Sequence, residues 1–134
     1  LWHTGRRDQL LQFFFHSYLD LNLLIKTLES SYTDVSWRAC GVLANMAASI
    51  VQVRHLLISD HVLGKLTGLL KRSIETNDKF CILTVTNLLA NISCSEHEKM
   101  KTEQELRDMI NIYLLDHDDE EVQEAGNRFF CNLI

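Results

Sequence analysis

Proline is absent from these 134 residues and glycine occurs only five times. That removes the usual material of tight turns and sheet corners and leaves helices joined by short connections. The four cysteines, Cys40, Cys81, Cys94 and Cys131, stand singly, with no CxxC pair and no short histidine spacing. A zinc cage is thereby excluded, and reduced thiols buried in helices are the expectation. Every long apolar stretch is interrupted by polar residues well short of the ~20 needed to cross a bilayer, and no signal-peptide pattern opens the chain. We therefore expect no membrane association, with the cytosol or nucleus as the default compartment.

Clustered cations are also missing. Residues 1–90 carry nine Lys/Arg against seven Asp/Glu, and residues 91–134 carry four against eleven, so the C-terminal third is acidic within a net charge of -5. A phosphate-binding surface needs the opposite, so nucleic acid is not expected and basic peptides suit that third better. No glycine-rich loop and no nucleophile-and-base motif is present, which argues against an enzyme and against a cofactor. The acidic run Asp116 to Glu121 lacks the glycine and spaced ligands of a calcium loop and reads as a solvated entry to a helix.

What the chain does have is a recurring asparagine in an apolar frame: Leu43-Ala44-Asn45-Met46, Leu89-Ala90-Asn91-Ile92 and Phe130-Cys131-Asn132-Leu133. Each closes a helical pattern. Middle helices precede them at Leu21–Leu28, Val62–Leu70 and Met109–Leu115, and shorter first helices at Arg7–His16, Val51–Ile58 and Glu96–Lys101. Three copies follow, at about residues 5–48, 49–94 and 95–134, a number that suffices for a stacked helical array. The second copy has about four extra residues within Lys71–Asp78, expected to form a loop, since added loop length costs little. Asp34, Asp78 and Asp118 are the expected N-caps of the third helices. His3 falls where a preceding copy would carry its asparagine, and the patterns running to both ends suggest a piece of a longer array.

At about 100° per residue, offsets of -7 and -4 share the asparagine face, whereas -10, -6, -3 and +1 lean toward the core. The core set is then Val35, Ala39, Val42 and Met46 in the first copy and Cys81, Val85, Leu88 and Ile92 in the second. The exposed set is Arg38 and Gly41, Thr84 and Asn87, and Ala125 and Arg128. Trp37 sits on the flank of that face, and one of Phe13, Phe14 and Phe15 is left to point outward.

The string DVSWRACGVLANMAAS, with a valine ten residues before the asparagine, resembles the third helix of an armadillo repeat. EVQEAGNRFFCNLI keeps that spacing, and FCILTVTNLLANIS has Cys81 at the valine position. The resemblance implies an all-α, right-handed α-solenoid of about three armadillo-like repeats, with HEAT repeats as near relatives. It also implies that Asn45, Asn91 and Asn132 form a ladder along a concave groove. An amide carries both donors and an acceptor, so it can meet the backbone of an extended peptide whatever its side chains. The expected function is a protein-interaction module, adaptor or scaffold, that binds a peptide segment of a partner.

The expected contacts are Trp37, Arg38, Asn45, Thr84, Asn87, Asn91, Arg128 and Asn132, the arginines favouring acidic or carboxylate groups. Importin alpha places tryptophan four residues before the asparagine, where this chain has Gly41, Asn87 and Arg128, so nuclear-localisation signals are not the expected ligand. Two other readings are carried. One is an architectural array with an empty groove. The other rests on VSWRACGVL and Leu1-Trp2-His3-Thr4, which resemble part of the Zyg eleven and Zer one substrate receptors of cullin ubiquitin ligases, and it implies recognition of protein N-termini.

Overall fold

The computed structural model describes residues 18–134, with side chains from residue 21 onward. The expected helix at Arg7–His16, the ladder position His3, the Phe13–Phe15 run and Leu1–Thr4 lie outside the described residues. Within them the chain is helical throughout: α1 (Tyr18–Thr27), α2 (Thr33–Ser49), α3 (Val51–Leu57), α4 (Asp60–Thr76), α5 (Lys79–Ser93), α6 (His97–Lys101), α7 (Gln104–Met109) and α8 (Glu120–Cys131). α7 runs on into one π-helical turn, Ile110–Leu114, closed by Leu115 N–H donating to Ile110 C=O at 3.3 Å. Among the described residues no helix is long and apolar enough to cross a membrane.

Two layers result. α2, α5 and α8 lie side by side as an inner layer, each packed on the next. α1, α4 and α7 back them, α4 lying on α5 and touching α7, while the short α3 and α6 close the edge. Fully buried leucine and isoleucine fill the space between, including Leu43, Leu66, Leu70, Leu88 and Ile92, with Phe129 closing the far end. Each such side chain contributes about 1.5–3 kcal/mol. The buried serines Ser73 and Ser93 cost little, because their hydroxyls donate to the Leu70 and Leu89 carbonyls of their own helices at 2.7 Å.

Helix ends follow local chemistry, with three departures from expectation. Asp78 caps α5 by accepting from Cys81 N–H at 3.2 Å, as its position suggests. Asp34 does not cap α2: Tyr32 holds that position without a side-chain bond, and Asp34 stands in the first turn, where its charge suits the helix dipole. At α8 the cap is Asp119 rather than Asp118, accepting from Glu121 N–H at 2.9 Å. The extra residues of the second copy are not a loop. They lengthen α4 by about one turn, to Thr76, because Lys71–Thr76 holds no helix breaker and Asn77 then takes the left-handed conformation (φ 51°) that ends the helix.

The core assignments hold in full for the second copy, where Cys81, Val85, Leu88 and Ile92 are all buried. In the first, Ala39 is buried and Met46 half-buried, but Val35 and Val42 are each 44% exposed. Offsets -10 and -3 face the preceding inner helix, which α2 supplies for α5 and α5 supplies for α8. Among the described residues α2 packs on α1 and has no inner helix before it.

Candidate functional site

The inner layer aligns the three asparagines at the C-terminal ends of α2, α5 and α8, and hydrogen bonds fix their register. Asn91 Nδ2 donates to the Ala44 carbonyl at 3.0 Å, and Asn132 Nδ2 donates to the Ala90 carbonyl at 2.9 Å. In both cases the acceptor immediately precedes the asparagine of the neighbouring helix, so one geometry recurs at both junctions. Both residues are half-buried; Asn91 keeps its Oδ1 and one N–H for another partner, while Asn132, whose Nδ2 also lies 3.6 Å from Cys94 Sγ, keeps its Oδ1. Asn45 is exposed, and its amide has no hydrogen-bond partner among the described residues.

One turn back along the same face, Arg128 Nη2 donates to Asn87 Oδ1 at 2.9 Å, joining the -4 positions of α8 and α5. At the other end of the layer Lys79 Nζ meets Asp119 Oδ2 at 2.9 Å and Glu121 Oε1 at 3.0 Å. Those bonds hold the Asp119 carboxyl below its usual range and the Lys79 ammonium above its own. Thr84 is half-buried and returns its hydroxyl to the Phe80 carbonyl at 2.8 Å, and Arg38 is exposed. A Cβ at Gly41 would come within 3.9 Å of Thr84 Cγ2, which places those two residues against each other across α2 and α5.

Two residues expected on the open face are buried instead. Trp37 is only 6% exposed and belongs to the core, so it offers no aromatic wall to a ligand. Its place in α2 corresponds to that of the half-buried Leu83 in α5, which lines an open notch beside α8. Ala125, at 7% exposed, forms the floor of that open notch. The notch itself, between α5 and α8, is a depression of about 240 Å³ lined by Leu83, Asn87, Glu121, Glu124, Ala125 and Arg128.

Sequence reasoning missed Leu83, Glu121 and Glu124, and it missed Phe80. Phe80 is 70% exposed although helices flank α5 on both sides. At -11 from Asn91 it falls within about 20° of the asparagine on the wheel. The periodicity already contained it, one turn beyond the offsets used.

The thiols show no activation. Cys40 is wholly buried and Cys81 nearly so, and burial pushes both up to about 12, with the Asp78 and Asp34 carboxylates adding to the effect at Cys81. Cys94 and Cys131 are exposed, contrary to the expectation of burial, because they lie at the frayed ends of α5 and α8. Among the described residues no three His, Cys, Asp or Glu side chains converge as metal ligands. The acidic run instead caps α8 and pairs with Lys79.

No protein-family model and no curated protein sequence matches the chain. Among solved structures it is similar to the crystal structure of an engineered protein, at a TM-score of 0.69 and 23% identity over 84% of this chain. The match spans 44% of that protein's length. At such identity the likeness concerns the fold alone.

Proposed function

We propose that this chain is a non-enzymatic protein-interaction module, a segment of right-handed armadillo-type α-solenoid that receives an extended peptide along α2, α5 and α8. The observation that carries the reading is the row of Asn45, Asn91 and Asn132, set in one register and each with amide capacity left over. Inner helices pack ~8–10 Å apart and an extended chain rises ~3.3 Å per residue, so successive amides meet about every third peptide residue. Asparagines hold the backbone, Arg38, Thr84, Asn87 and Arg128 meet side chains, and Trp37 acts only through the core. Four free thiols suit a reducing compartment, the cytosol or nucleus.

The bonds from Asn91 and Asn132 to the neighbouring helices favour a second reading, in which the amides are architectural and the groove carries no ligand. Asn45 separates the two, because it has no such bond to lose. Displayed random peptides selected on the folded chain are expected to lose about tenfold in affinity on Asn45→Ala with the urea midpoint unchanged. Selected peptides that bind wild type and Asn45→Ala alike, or a selection that enriches none, would leave the architectural reading.

A further inference from the structure

The open notch between α5 and α8 has a specific chemistry. Its floor is apolar, from Leu83 and Ala125. Its wall on α8 carries two exposed carboxylates one turn apart, Glu121 and Glu124. Glu121 is shared with Lys79, whereas Glu124 makes no ion pair among the described residues. Arg128 stands at the asparagine end, turned to Asn87 by its 2.9 Å bond. Phe80, one turn from Leu83 along α5, is 70% exposed but does not line the notch.

The geometry points to a specificity subsite for one basic side chain, arginine or lysine, of a peptide lying in the groove. Its aliphatic stem covers Leu83 and Ala125, and its cationic head meets Glu124 and the outer oxygen of Glu121. Of the charged groups that line the notch, Glu121 and Glu124 outnumber Arg128, which is turned to Asn87, so a cation is favoured over an anion. The volume of about 240 Å³ accommodates one such side chain. This subsite rests on the groove reading above and adds to it the sign of the ligand.

The test is peptide display on the folded chain, followed by binding measurements with the selected peptides and their citrulline analogues, which keep arginine's shape without its charge. We expect one position to be fixed as arginine or lysine, citrulline there to cost about fivefold on wild type, and that cost to vanish on Glu124→Gln. Selected peptides that depend on Asn45 but show no basic position, or a citrulline penalty that survives in Glu124→Gln, would overturn the subsite and leave the groove standing. A basic position that needs Glu124 but not Asn45 would keep the subsite and remove the ladder. A selection that enriches nothing would overturn both.

Discussion

Gly126 in α8 and Gly41 in α2 both belong to the inner layer, yet they answer to different constraints. A Cβ at Gly126 would stand 3.2 Å from both Leu114 Cβ and Leu115 Cδ2, at the π-helical turn on which α8 packs. Because the Leu114 atom is fixed to the backbone, α8 must shift, and Gly126→Ala should destabilise by about 1–3 kcal/mol in urea unfolding. At Gly41 the nearest atom is 3.9 Å away, so Gly41→Ala gains helix propensity and should stabilise by roughly 0.5–1 kcal/mol in the same assay. Thr86 gives a third contrast. It is wholly buried and its hydroxyl finds no partner among the described residues, so Thr86→Val, which keeps the shape, should raise stability by about 1 kcal/mol.

The elements owe their limits to caps and to ion pairs between copies. Asp78→Ala removes the acceptor for Cys81 N–H at the start of α5 and should cost about 1 kcal/mol in urea unfolding. The Lys79 pair links α5 to α8 and makes part of the stability depend on pH. Asp119 has a folded pKa below its unfolded one, so its contribution is present above the unfolded value, about 4, and is lost as pH falls through the folded value. Lys79, raised by the same bonds, loses its contribution only at alkaline pH, as the pH climbs through its folded pKa. Urea midpoints measured from pH 5 down to pH 2 should therefore fall less steeply in Lys79→Met than in wild type.

Element type was legible in the sequence, because apolar spacing and the lack of proline leave helix as the pattern that buries the leucines. The π-helical turn and the added turn of α4 were not. The first depends on how α8, through Gly126, seats against Ile110–Leu114, and the second on Asn77 accepting a left-handed conformation. Both are decided by tertiary contact or by a single backbone state rather than by periodicity.

At the scale of the whole molecule, bonds about forty residues apart in sequence tie each copy to the next: Asn91 to Ala44, Asn132 to Ala90, Arg128 to Asn87, and Lys65 to Glu29 at 2.9 Å. On the proposed solenoid reading, stability is a sum over neighbours. Asn91→Ala should accordingly lower the free energy of unfolding by about 0.5–1.5 kcal/mol, while Asn45→Ala leaves it unchanged. Equal losses for the two would mean that Asn45 is also engaged. Of the candidate site, the amide row and Arg128 could be read from the sequence. The open notch could not, because it exists only once α5 and α8 lie side by side.

The most direct measurement follows the side-chain amide resonances of Asn45, Asn91 and Asn132 in a nitrogen-15 labelled sample titrated with a selected peptide. The account predicts that all three shift together along one binding curve. Shifts confined to the outer helices α1, α4 and α7, with the three amides unmoved, would contradict it.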